Sequence, residues 1–266
     1  MLRLINSLFN EIHIKLYIVM TINKQNNNIE HIYKKKITKN QKKRNDNSVL
    51  VKSVEDLSKS LVEQGVKESG KANIYAQNIK QNEAIMQTFF NFIQQQLSSL
   101  NFQKEESYNI FSLSMQHLKA NQIELAKLYK QKLSMYNNSV QSITDAIISL
   151  SSSLNQQVSA CYSFGKASEQ SMEFMHHILF ALNQLLETVE NNYPNSQQIE
   201  FISQQINRMQ SYIDLAVNFH RTVTSSCEIS QIIVQNANIV SQNAQDIANI
   251  VADLNSKAAT KITESY

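Results

Sequence analysis

The chain contains very few of the residues that make tight turns. Its 266 residues include 3 glycines, 1 proline and no tryptophan, whereas ordinary domains contain about 7% Gly and about 5% Pro. A mixed or all-β domain of this length needs many tight connections, because strands are only about 5 to 6 residues long. The scarcity of turn residues therefore excludes strand-rich folds and predicts few, long helices.

The sequence also lacks convincing motifs for catalysis or metal binding. Cys161 and Cys227 match no zinc or redox spacing and lie on apolar stripes, so we expect small buried side chains in a reducing compartment. The segment 65–71 has the glycine and lysine spacing of a phosphate-binding loop, but Ala72 lacks the hydroxyl that binds Mg²⁺ and no strand precedes it. His220 lies on an apolar stripe and is expected to be buried and hydrogen-bonded. We expect no catalytic residues, no metal and no cofactor.

Residues 1–46 differ in charge from the remainder of the chain. They hold 10 Lys and Arg against 3 acidic residues, a balance of +7, which leaves −4 for residues 47–266. Such a composition predicts a basic, largely disordered N-terminal segment. It favours a solvated tail over a nucleic-acid site, because Tyr33 is the one aromatic residue beside the basic run. The first 20 residues either lie on an anionic membrane surface or precede a translation start at Met20.

Residues 47–266 show helical periodicity for most of their length. We expect an amphipathic helical region over 47–136 and a long helical hairpin over 137–266, with the hairpin turning near 191–196, where Asn residues and Pro194 cluster. The first helix is expected to start near Ser53. Weaker breaks are expected at 65–70, at 100–107 and at 137–138.

The apolar residues of the hairpin recur at steps of three, four and seven. This spacing is typical of helices that pack against other helices. The fold class is therefore predicted to be all-α, an elongated helical bundle or coiled coil of long amphipathic helices. The candidates for an oligomerisation seam are Ile143, Ile147, Leu150, Leu154, Ile206, Met209 and Ile213.

A broader and more aromatic stripe lies in the region 47–136. Its three phenylalanines cover more than one side of a helix, which indicates either packing between two neighbouring helices or contact with a foreign apolar surface. We take the second interpretation as the functional prediction. The surface-contact candidates are Phe89, Phe90, Phe92, Ile93 and Leu97.

Several short segments resemble the phasin family of granule-associated proteins. They are GKANI at residues 70–74 with Asn78, NEA at 82–84, FFNFIQQQL at 89–97 and the Gln-rich run ISQQINRMQSYIDLAVNF at 202–219. The resemblance implies a non-enzymatic protein that coats polyhydroxyalkanoate granules through amphipathic helices and associates with itself by coiled coil. It transfers no catalytic residues.

The leading expectation is thus a cytoplasmic, granule-associated coat protein whose partners are itself and a hydrophobic granule or membrane surface. The residues 47–136 would contact the surface, and the residues 137–266 would build the scaffold. Two alternatives remain open on the sequence. One is a coiled-coil interaction or signalling scaffold, such as a secreted effector, and the other is an α-helical membrane-active toxin.

Overall fold

The computed structural model describes residues 42–194 and 196–265, with side chains from Val51 onward. It divides into two units, Met1–Leu57 and Ser58–Tyr266. The described residues form three long helices and no strand: α1 (Lys42–Lys119), α2 (Ile123–Asn192) and α3 (Gln197–Glu264). The prediction of an all-α protein of long helices is confirmed.

Side-chain contacts fix the order and direction of the helices in the unit Ser58–Tyr266. Pairs between α1 and α2, such as Ser114 with Ala126, have residue numbers that add up to between 239 and 243. Pairs between α2 and α3 add up to between 388 and 393. A constant sum means that two helices run antiparallel. Because α1 and α3 are both antiparallel to α2, they are parallel to each other, and Lys59 Nζ of α1 lies 5.3 Å from the ring centre of Phe201 of α3.

The core is built in layers of three residues, one from each helix. In every helix, one row of buried residues recurs strictly every seventh position. In α1 the row is Ser58, Gly65, Ala72, Ile79, Met86, Ile93, Leu100, Ser107 and Ser114. In α2 it runs from Ala126 to Leu182, and in α3 from Ile202 to Ala258. A strict seven-residue repeat is the signature of left-handed coiled-coil packing.

The layers combine large with small side chains. The buried rows of α1 and α2 carry large side chains such as Met86, Ile93 and Ile147, whereas the buried row of α3 carries Ser230, Ala237 and Ala244 in the same part of the core. Three buried hydroxyl groups are satisfied by carbonyl groups of the neighbouring helix. Ser114 donates to the carbonyl of Ala126 at 2.9 Å, and Ser151 and Thr144 donate to alanine carbonyls of α3 at 3.2 and 3.3 Å. The alanines leave room for these contacts, and the hydroxyls avoid the cost of an unpaired buried polar group.

The turns of the chain differ from the sequence prediction in part. The turn between α2 and α3 lies at 193–196, in the segment where a break was expected. The Ser196 hydroxyl caps α3 by accepting a hydrogen bond from the backbone N–H of Gln198 at 3.3 Å. The other turn lies at 120–122, where no break was predicted. It is made by Asn121, which adopts a left-handed backbone with φ 55°, a conformation that asparagine tolerates well.

Three of the expected breaks are wrong. The helix α1 is continuous through 65–70 and 100–107, and α2 is continuous through 137–138. The predicted boundary between 136 and 137 therefore falls inside α2. The first helix begins at Lys42 rather than near Ser53. Of the predicted basic segment, residues 1–41 lie outside the described residues, and residues 42–46 belong to α1.

Candidate functional site: an uncharged face of helices α1 and α2

The outer side of the α1/α2 pair can be traced from the contacts inside it. Glu68 and Asn82 of α1 reach α2, through Ser171 and the Gln157 carbonyl. On an α-helix, residues three positions further on lie on the next row outward. The residues that lie one or two such steps away from the contact rows of α1 and α2 form the outer surface of this pair.

We call this surface the α1/α2 face and define it by its residues. From α1 it contains Ile74, Asn78, Gln81, Ile85, Thr88, Phe92, Gln95, Ser99 and Phe102. From α2 it contains Met135, Ser139, Ser142, Ala146, Ser149, Ser153, Gln156, Ala160 and Ser163. All of them are exposed or half-exposed. The antiparallel pairing places the two sets beside each other.

The α1/α2 face carries no charged side chain. On the same rows, the nearest charged residues are Lys71 and Glu106 of α1 and Lys132 of α2. From Ile74 to Phe102 the face is about 40 Å long at 1.5 Å per residue. Such a length without charge is unusual for a helical surface in water, which typically carries charged residues opposite its apolar stripe.

The two halves of the face differ in relief. The α1 half projects large apolar side chains, with Ile74, Ile85, Phe92 and Phe102 at 54%, 48%, 46% and 65% exposure. The α2 half opposite them consists mainly of serine and alanine. The face is therefore a ridge of large apolar side chains beside a shelf of mostly small ones, with the exposed Met135 at one end of the shelf.

The predicted surface-contact residues are divided by the fold. Ile93 is fully buried and Phe90 is 8% exposed. Phe89 and Leu97 are partly buried against the main core cluster. Phe92 alone of the five is an exposed large side chain. In the closed bundle, a foreign surface reaches Phe92, and it reaches Ile93 only if the helices separate.

The predicted oligomerisation seam lies inside the chain. Ile147, Leu154, Met209 and Ile213 are buried between the three helices. Ile143, Leu150 and Ile206 are partly buried against the same clusters. The heptad spacing is thus explained by packing within one chain, without a second copy.

The sequence analysis missed the α2 half of the face. Serine and alanine at Ser139, Ala146, Ser153 and Ala160 carry no functional signal in themselves. Their regular seven-residue spacing on an exposed row is the signal that could have been read, because exposed rows usually carry charge. Ile85 and Phe102 were also missed, since both lie outside the aromatic cluster.

A second surface feature is a groove of about 450 Å³ between α2 and α3. Gly165 opens it by removing a side chain opposite Cys227, whose Sγ would lie 3.9 Å from an added Cβ. His220 lines the groove and is half-buried, with Nδ1 3.3 Å from the Ser168 hydroxyl. Burial raises the pKa of the Cys227 thiol from 9.0 to about 11, and Cys161 and Glu228 add to the effect.

This raised pKa predicts a slow thiol. At pH 8, Cys227 should react with iodoacetamide about 100-fold more slowly than an unshifted cysteine, because the thiolate is the nucleophile. The rate should rise about tenfold per pH unit from pH 8 to 10. Cys161 is fully buried, so the variant Cys227→Ser should lose the labelling. A rate that levels off near pH 9 would contradict the raised pKa.

In residues 42–194 and 196–265, no group of three or more His, Cys, Asp or Glu side chains is placed to hold a metal ion. Within the same residues, no helix is long and apolar enough to cross a membrane.

Comparisons with known proteins add little to this geometry. No protein-family model matches the chain, and no curated protein matches its sequence at a significant level. Among solved structures it is similar to a computationally designed three-helix bundle. The alignment covers 79% of this chain and 98% of the designed one, with 17% identity and a TM-score of 0.32.

Proposed function

We propose that the chain is a non-enzymatic, phasin-like coat protein that adsorbs on a hydrophobic polyester granule through the α1/α2 face. The observation that carries the proposal is the absence of charge over this face, together with the exposure of Ile85, Phe92 and Phe102. The weak sequence resemblance to phasins includes the segment 89–97 and so includes Phe92.

The chemistry of the face suits a polyester. Polyester chains offer ester carbonyls, which accept hydrogen bonds, and alkyl groups, which are apolar. Between its apolar side chains the face offers the side-chain amides of Gln81 and Gln95, whose N–H groups donate hydrogen bonds. A charged side chain would have to lose its water on such a surface, at a cost of several kcal/mol. The face contains none.

Sedimentation with polyester granules tests the proposal. The wild-type chain should pellet with polyhydroxyalkanoate granules, and the variant Phe92→Lys/Phe102→Lys should bind at least about 100-fold more weakly. Each phenylalanine contributes about 1.5 to 3 kcal/mol when it is buried, and each lysine adds a charge that must be desolvated. Both positions are exposed, so helicity by circular dichroism should be unchanged.

Phe180→Lys is the matched control. Phe180 is 62% exposed, close to the 65% of Phe102, but it lies on neither of the α2 rows that form the α1/α2 face and is beyond the end of that face at Ser163. This variant should pellet like the wild type. If the wild type stays in the supernatant and forms a discrete oligomer, the coat function is wrong and the chain is a coiled-coil scaffold instead. If the wild type pellets with lipid vesicles but not with granules, the surface that it binds is a membrane and not a polyester.

A further inference from the structure

We propose that, when no granule is bound, the α1/α2 face is covered by a second copy of the chain in a parallel, two-fold symmetric dimer. This inference concerns the same face as the proposed function and adds to it how the face is kept from water. Three properties of the α1/α2 face favour a second copy of the chain: the shapes of its two halves, its area, and the charged residues at one of its ends.

The face is complementary to itself. It consists of an apolar ridge on α1 and a flat shelf of serine and alanine on α2. A two-fold axis parallel to the helices places the ridge of each copy over the shelf of the other. A two-fold axis perpendicular to the helices would instead place ridge on ridge and leave the two shelves apart. Isologous interfaces require such self-complementarity, and here it selects the parallel arrangement.

In this arrangement, residues at the same height meet. The α1/α2 pairs place Phe92 at the height of Ala146 and Ser149, and Ile85 at the height of Ser153 and Gln156. Large side chains of α1 therefore meet small ones of α2 at Ile85 and Phe92, whereas at the end of the face Phe102 meets Ser139 and the exposed Met135. The two α1 helices and two α2 helices also alternate in direction around the interface, so that every neighbouring pair is antiparallel, as in up-down-up-down four-helix bundles.

Charge is complementary at one end of the face. Glu106 and Lys132 lie at similar heights on the same rows, just beyond the uncharged region. Across the two-fold axis, Glu106 of one copy faces Lys132 of the other, twice per dimer. In the perpendicular arrangement, Glu106 would not meet Lys132 of the second copy at the same end.

The area is sufficient for a stable dimer. Two helices whose axes are 8–10 Å apart present a face about 20 Å wide. With a length of about 40 Å, each copy buries about 800 Å², which is the usual amount per partner in a specific interface. The dimer and the granule then compete for one face, and adsorption requires the two copies to separate.

Mass measurement and cross-linking test the dimer with purified full-length protein. Light scattering and sedimentation velocity should give twice the chain mass, and Phe92→Lys should weaken dimerisation at least about 100-fold, because each dimer would bury two unpaired charges. Phe180→Lys should remain dimeric. A wild-type chain that is monomeric up to about 100 μM, or a dimeric Phe92→Lys variant, would overturn the proposal.

Cross-linking tests the arrangement of the copies. A mixture of the single variants Phe92→Cys and Ala146→Cys should form a disulfide-linked dimer, because these positions face each other across the two-fold axis. Each variant alone should form none, since its two copies lie on opposite corners of the four-helix arrangement, beyond disulfide reach. Self-cross-linking of Phe92→Cys without cross-linking in the mixture would overturn the parallel arrangement.

The dimer and the coat function can be disproved independently of each other. A monomer that pellets with granules removes the dimer and leaves the coat function standing. A dimer that ignores granules at every concentration supports the dimer and removes the coat function. If both proposals hold, dilution below the dimer dissociation constant should increase the fraction of chain bound to granules.

Discussion

Replacing Ile93 by aspartate is expected to lower the melting temperature of the bundle by about 10 °C or more. Ile93 is fully buried in the core cluster that also contains Ile147 and Ala237, so the change removes a large apolar side chain and leaves a carboxylate without a partner. Together these effects cost at least about 4 kcal/mol. For a bundle of this size, each kcal/mol lowers the melting temperature by about 2 to 4 °C.

The neighbouring residue provides the control for this experiment. Phe92 is 46% exposed, and Phe92→Asp should change the free energy of unfolding by no more than about 0.5 kcal/mol. The two variants are compared by thermal denaturation followed by circular dichroism. If the dimer proposed above forms, the comparison is made at a concentration where the chain is monomeric. Equal melting temperatures for the two variants would contradict the assignment of Ile93 to the core.

Replacing Gly65 by leucine is expected to destabilise the bundle by about 1 to 2 kcal/mol. A Cβ at Gly65 would lie close to the thioether of Met209, within 2.3 Å of Sδ and 2.5 Å of Cε. Met209 and Met175 are themselves fully buried in this layer. The buried end of the Met209 side chain must therefore move to admit a leucine. Overpacking of this kind costs about 1 to 3 kcal/mol, and the better helix propensity of leucine offsets about 1 kcal/mol of it. Urea denaturation would measure the loss.

Gly70 gives the opposite result on the same helix. An added Cβ at Gly70 meets nothing within 4 Å, so Gly70→Ala should stabilise α1 by about 1 kcal/mol, the difference in helix propensity. The contrast separates packing from propensity, because both residues are glycines in one continuous helix. If Gly65→Leu and Gly70→Ala were both stabilising, the core around Gly65 would have enough free space for a leucine side chain.

The pattern of apolar residues was sufficient to predict an all-α fold of long helices. Ile79, Met86, Ile93 and Leu100 recur every seven residues, and the structure places all four in the core. Such periodicity survives in the sequence because every buried row must return to the same side of its helix. The turn at Pro194 was similarly visible, since proline and asparagine interrupt a helix locally.

The second turn was not visible, for a physical reason. Ala120, Asn121 and Gln122 include neither glycine nor proline, and the turn depends on one asparagine in a left-handed backbone. The glycines at 65 and 70 gave the reverse error. They suggested a break, but a glycine inside a helix costs only about 1 kcal/mol, and packing between the helices outweighs it.

The candidate site shows the same division between local and tertiary information. The sequence singled out the cluster around Phe92 because three phenylalanines stand close together. It assigned Ile93 and Phe90 to the outside, whereas the register of the bundle turns both inward. Successive side chains on a helix point about 100° apart. Neighbouring residues of one cluster can therefore be exposed, like Phe92, or buried, like Ile93.

The sequence by itself determined that this protein consists of long amphipathic helices, because turn residues are scarce and apolar residues recur every seventh position. Only the tertiary structure decided which of those residues are inside, because the inside of each helix depends on where its neighbours lie. It also decided the α1/α2 face. The apolar ridge (residues 74–102) and the serine and alanine shelf (residues 135–163) lie far apart along the chain, and only the antiparallel pairing of α1 and α2 brings them side by side.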